Sequence, residues 1–117
     1  DEGVPLMRTI YLVKAEVAPE AERAWNEWGS RHHIPEVLAE PGFVRAAKYR
    51  LEEGTAPDGW IAYCILDEAV SREALEAYLS GDAVKRLRAD QAARFGSVLR
   101  LSRAILLPVA EAEAPPR

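Results

Sequence analysis

The chain has one cysteine, Cys64, and two histidines, His32 and His33, in 117 residues. A single thiol excludes an internal disulfide and any all-cysteine metal cage. No apolar run approaches the roughly 18 residues of a membrane-spanning helix. The longest runs, Trp60–Leu66 and Ala104–Val109, are strand-sized. The start shows no charged-then-apolar leader pattern. No glycine-rich loop leads from a strand into a helix, so a phosphate cradle is unsupported. Lysine is scarce, three against twelve arginines, and the formal net charge is −4. Nothing in that balance draws the chain to nucleic acid or to anionic lipid. The expectation is a cytoplasmic protein with neither a membrane nor a nucleic-acid partner.

The chain does have an ordinary globular composition, 49 % hydrophobic and 29 % charged, which argues against a disordered chain or a rod. Its length suits one domain of about 100–200 residues. We place that domain at residues 7–108. Residues 1–6 read as a tag remnant or loose arm. Residues 109–117, dominated by Ala, Glu and Pro, read as a disordered tail without core-forming side chains.

Between the ends, periodicity sets the elements. Arg8–Val17 alternates as a strand, with Tyr11, Val13, Ala15 and Val17 on one face. Pro19–His33 reads as a helix, with Pro19 at its first position and Glu20 and Glu22 near its positive end. Its apolar stripe runs through Ala21, Ala24, Trp25, Trp28 and His32. Pro35 disfavours helical geometry at Ile34, so a break is expected there, followed by a short turn over Pro35–Ala39. Phe43–Leu51 and Trp60–Leu66 form a hairpin around the Glu52–Gly59 loop. Val70–Leu79 and Asp82–Phe95 are helical, interrupted near Ser80-Gly81, and Val98–Leu107 is a last strand. The order β-α-β-β-α-β is the split-βαβ, ferredoxin-like arrangement: a four-stranded antiparallel sheet with helices on one face.

Two helices cover one face, yet the strands carry Ile10, Leu12, Ile61, Tyr63, Ile65, Leu101, Ile105 and Leu107 beyond their opposite-face residues. A bare apolar sheet face invites association, and two copies pairing sheets across a two-fold axis would bury it. Lys14, Glu16, Arg45, Lys48, Arg50, Arg100 and Arg103 also sit on strands. They would line an interior, pair across an interface or face water.

The run Trp25-x-x-Trp28-x-x-x-x-His33-Ile34-Pro35-Glu36-Val37-Leu38, followed by Pro41-Gly42-Phe43, resembles the small dimeric α+β-barrel proteins. It is similar to the EthD-like group, with its His-x-Pro after the first helix and Pro-Gly before the second strand. It resembles more closely a bacterial domain-of-unknown-function family with Trp-x-x-Trp and His-Ile-Pro, to which Leu87-Arg88 and Arg94-Phe95-Gly96 add. The resemblance runs from about Arg8 to Leu107. It implies a homodimeric α+β barrel. The superfamily spans cyclases, cofactor-free monooxygenases, a lactone isomerase and haem-degrading enzymes, so fold alone does not choose a function.

Candidate chemistry centres on the histidines, the natural proton carriers near neutral pH. At about 100° per residue His32 lies about 20° off Trp25 and His33 about 80° off, so periodicity selects His32 for the stripe. The resemblance selects His33, two residues before Pro35. A plain reading, that both simply end a helix, stands beside these. The resemblance also offers Asp90, five residues before Phe95, as an acid partner to orient or charge the imidazole. Its spacing is one residue longer than the EthD-like pattern, and the alternative is a solvated helix residue. Trp25, Trp28, Tyr11, Tyr49, Tyr63 and Phe95 would either pack the core or line an apolar pocket for a flat ligand. Adjacent histidines do not converge on one ion, so no metal site is expected. No cofactor is called for by any motif, and haem enters by fold analogy alone.

The first functional reading is cofactor-free acid–base catalysis (cyclisation, isomerisation or dehydration) on a small apolar or aromatic molecule, with His33 carrying the proton. A non-catalytic binding or assembly protein and a haem- or oxygen-dependent monooxygenase are the alternatives. A pocket of about 300 Å³ or more beside His33 would favour the first.

Overall fold

Strict alternation decides which side chains the sheet turns toward its helices. In the computed structural model, which describes residues 7–117, β1 (Thr9–Val17) sends Thr9, Tyr11, Ala15 and Val17 into the interior. The expected arm at residues 1–6 lies outside the described residues. β1 pairs antiparallel with β3 (Ile61–Ala69) and β4 (Leu99–Leu106), and β2 (Phe43–Thr55) pairs antiparallel with β3. The sheet order is β2-β3-β1-β4. This is the ferredoxin-like fold expected from the element order.

Register corrects the reading of the second sheet face. Val13 lies opposite Ile65 and Arg103, and Tyr11 opposite Asp67 and Ile105. Ile61, Tyr63, Ile65, Leu101 and Ile105 therefore face the helices. The open face carries Ile10, Leu12, Cys64, Leu66 and Leu106, edged by the ion pairs Arg45–Glu68 and Arg100–Glu16.

The expected break at Ile34 does not occur. After α1 (Glu22–Trp28), Gly29–His33 forms one wide turn in which the Ile34 N–H donates to the Gly29 carbonyl, five residues back. The chain then continues as α2 (Ile34–Leu38) through the expected Pro35–Ala39 turn. The wide turn explains how Pro35 is tolerated. It places the proline in the first turn of α2, where its fixed φ suits a helix.

The second helical region matches its reading closely. Ser71 caps α3 (Arg72–Leu79), its Oγ accepting from the Ala74 N–H at 3.0 Å. α4 (Asp82–Phe95) buries Val84, Leu87 and Gln91. The core forms two clusters. One joins α2, α3 and α4 to the sheet through Val37, Leu75, Tyr78, Val84 and Leu87. The other packs Trp25 and Trp28 of α1 on Val17, Ile61 and Tyr63. Each fully buried aliphatic side chain such as Leu75 contributes about 1.5–3 kcal/mol. Beyond β4 the chain has no regular structure and Val109 is exposed.

The Pro41-Gly42 turn aims the chain into β2, and Gly42 adopts φ +93°. A Cβ there would lie 2.8 Å from the Ala74 Cβ on α3. Strain and clash act together, so Gly42→Ala should destabilise by about 1–3 kcal/mol. An unchanged urea midpoint would mean that the turn readjusts freely.

Candidate functional site

The wide turn settles the geometry of the two histidines. An added residue in the turn rotates the helix beyond it, carrying His32 out to solvent and bringing His33 inward. The His33 ring stacks on Trp28, with centroids 4.9 Å apart and planes 22° from parallel. Ideal periodicity puts His32 on the stripe; the five-residue turn between Trp28 and His33 gives the position to His33 instead. Ala24, also expected on the stripe, is exposed. The His33 Nδ1 and the Trp28 Nε1 are both buried and find no partner among the described residues. Burial holds the imidazole below its usual 6.5; Lys48 and Arg103 push the same way, and Glu36 and Asp90 oppose them.

A cavity of about 50 Å³ lies at the seam between the two core clusters. Trp25, Val37, Ile65, Leu87 and Leu101 supply apolar wall. Tyr11, Tyr78, Gln91, His33 and Asp67 supply polar atoms, and Arg88 and Arg103 also line it. Trp25 is fixed by its Nε1, which donates to Gln91 Oε1 at 3.1 Å. This space is smaller than the roughly 300 Å³ of a ligand pocket. An adjoining groove of about 300 Å³ between α4 and β4 shares Arg88, Gln91, Leu101 and Arg103 with it and enlarges the hollow.

Asp67 is the residue that sequence reasoning missed. It is 6 % exposed, faces the cavity from β3, and its pKa is raised to about 6 by burial, with no cation or donor to offset it. The expected strand ends at Leu66, one residue short. Extending the alternation Ile61, Tyr63, Ile65 by one step would have placed a carboxyl on the buried face.

The other named residues separate. Tyr11 and Trp25 line the cavity with His33, and Phe95 packs 5.4 Å from Trp28. Asp90, offered as the acid partner, is bound instead to Arg94 at 2.9 Å and does not line the cavity. Tyr49 lies on the open face, 55 % exposed. The reason is a bulge: the register slips between Phe43 and Arg45, so the face of the β2 residues from Arg45 to Arg50 is reversed. The same slip turns Lys48 toward the helices. Its Nζ sits 3.9 Å from the Trp25 ring centroid and donates to Asn26 Oδ1 at 3.1 Å. Burial pushes the amine down to about 8. Tyr63 joins this polar edge, accepting from Asn26 and donating to Glu22 at 2.6 Å. Among the described residues no group of three His, Cys, Asp or Glu side chains converges for a metal ion. No helix there is long and apolar enough to cross a membrane.

A family model for a domain of unknown function, DUF4286, matches residues 8–109. The chain belongs to the DUF4286 family. No curated protein matches this DUF4286 chain. Among solved structures it is similar to an EthD family protein from Bacillus halodurans, at 22 % identity and TM-score 0.62, covering 88 % of this chain and 100 % of that one. It is also similar to the heme-degrader MhuD from Mycobacterium tuberculosis, at 21 % identity and TM-score 0.66, covering 90 % and 99 %. A third is SnoaB, a cofactor-independent oxygenase from Streptomyces nogalater, at 15 % identity and TM-score 0.59, covering 94 % and 100 %. At these identities the likenesses show the fold alone, a ferredoxin-like α+β fold. They leave the chemistry of the DUF4286 site to its own residues.

Proposed function

We propose that the protein binds a small organic molecule across the seam cavity and its adjoining groove and moves protons on it, with His33 and Asp67 as the two proton carriers. The observation that supports this is their placement. Two titratable groups from different elements, the wide turn and β3, face one largely apolar cavity. Burial lowers the imidazole and raises the carboxyl to about 6, so the two shift toward each other from opposite sides. One takes a proton from an acidic C–H or O–H while the other returns one elsewhere on the same molecule. That is the chemistry of isomerisation, cyclisation or dehydration, and it needs no resident cofactor. A cofactor-independent oxygenase and a heme-degrader share the fold. A haem macrocycle exceeds both the cavity of about 50 Å³ and the groove of about 300 Å³.

The test is deuterium wash-in. A panel of small carbonyl compounds with acidic C–H positions is incubated with the protein in D₂O and read by mass spectrometry. Exchange should be bell-shaped in pH about the acid side of neutrality. His33→Ala should slow it by about 10²–10⁴-fold. Binding without exchange on any member would overturn catalysis and leave a binding protein.

The same reading includes a homodimer through the open sheet face. Leu12 and Leu66 pair at its centre, and a hollow of about 540 Å³ beside Cys64 would receive a partner's side chains. Ile105 faces the helices and is no probe of this surface. Leu12→Glu should therefore convert a dimer burying more than about 1,200 Å² into a monomer. Sedimentation showing a parental monomer at micromolar concentration would end that idea.

A further inference from the structure

The cavity and the groove between α4 and β4 adjoin along Arg88, Gln91, Leu101 and Arg103, and the two ends of the combined space differ in charge. At the inner end stand His33 and the carboxyl of Asp67. At the outer end Arg88 and Arg103 line both spaces. Among the described residues neither arginine pairs with a carboxylate. Their neighbours do: Arg94 on the same helix binds Asp90, and Arg100 on the same strand binds Asp58 and Glu16. Arg88 is nonetheless held in place, its Nη2 donating to Tyr11 Oη at 2.7 Å. Arg103 occupies an inward position in the alternation Leu99, Leu101, Arg103, Ile105, and β4 is an edge strand that lets its head reach the groove. Two such cations in a concave site of a chain with net charge −4 are a local reversal of sign.

We infer that the hollow takes an organic carboxylate, its anionic end clamped by Arg88 and Arg103 and its apolar body directed past Gln91 and Leu101 toward His33 and Asp67. A guanidinium matches a carboxylate with two parallel donors. Asp67 sets the direction, because a carboxylate pushed to the inner end would meet another acid. The inference deepens the proton-transfer reading by naming its substrate class, and only the chemistry at the inner end rests on that reading.

The probes are 2-naphthoate and its neutral counterpart 2-naphthamide, titrated into the 117-residue chain and followed by NMR. Naphthoate should bind about tenfold or more tightly than the amide, the value of one charge-assisted contact. Added salt should narrow the gap. Arg103→Gln and Arg88→Gln should each remove most of the preference, and Arg103→Lys should restore part of it. Arg86→Gln, on the exposed side of α4, should leave it intact. Equal binding of the two probes, an unchanged preference in both glutamine variants, or no naphthoate binding at millimolar concentration would overturn the clamp. The two readings fail separately. His33→Ala should slow deuterium exchange by about 10²–10⁴-fold while the preference for naphthoate over naphthamide persists. Tight, arginine-dependent naphthoate binding with no exchange would sink the catalytic reading and keep the clamp. Exchange on neutral compounds untouched by the arginine variants would do the reverse.

Discussion

Asp67→Asn should give a protein that loses its proton-transfer activity and gains stability above neutral pH. The folded protein holds the Asp67 carboxyl at about 6 against an ordinary 3.8, and burial is the whole cause. A pKa raised by folding contributes stability that is fully present below the unfolded value and lost as pH rises through the folded one. The wild-type chain therefore loses stability as pH climbs from about 3.8 to beyond about 6. The gap corresponds to about 3 kcal/mol at neutral pH and above, a substantial part of the 5–15 kcal/mol that holds a domain together. Asparagine has nearly the same shape and no charge, so it escapes that loss. Urea midpoints should separate in the mutant's favour at about pH 8 and converge at about pH 4. Exchange activity should fall by about 10²–10⁴-fold. His33 works in the opposite sense, since folding lowers its pKa; its contribution is present above 6.5 and lost as pH falls. A mutant no more stable than the parent at the higher pH would show that the carboxyl is solvated, and the acid–base pair would lose one member.

Most of the architecture was legible because alternation and helical spacing arise directly from burying one face of each element. The period-2 pattern of Tyr11, Val13, Ala15 and Val17 assigns the face of β1, and Ser80-Gly81 marks the boundary between α3 and α4. The features that were not legible depended on single-residue insertions. A five-residue turn at Gly29–His33 exchanged the roles of the two histidines, and one bulge after Phe43 sent Tyr49 to the open face and Lys48 inward. Neither insertion changes composition or average periodicity, so neither leaves a trace in the sequence pattern. The motif resemblance singles out His33, whose ring turns inward onto Trp28, because it compares positions and does not assume an ideal helix. It could not supply Asp67. That required the true length of β3, which runs three residues past the expected end.

Trp28→Ala should be among the most destabilising single changes, costing about 3–5 kcal/mol, and should at the same time release His33. The indole is 7 % exposed, packs against Phe95 and carries the His33 ring. Without it, water reaches the imidazole, and a pKa held down chiefly by burial returns toward 6.5. Thermal melting and an NMR titration of the histidine rings read the two effects independently. The phenylalanine variants divide packing from hydrogen bonding. The Trp28 Nε1 has no partner among the described residues, so Trp28→Phe removes a buried, unsatisfied donor and should cost far less than alanine. The Trp25 Nε1 donates to Gln91, so Trp25→Phe leaves the Gln91 oxygen unpaired at the cavity wall and should cost about 1–3 kcal/mol more for the same change of ring. Equal costs for the two phenylalanine variants would mean that the Gln91 bond does not hold Trp25. A Trp28→Ala variant that melts like the parent, with His33 still titrating low, would remove the stacked pair as the support of the site.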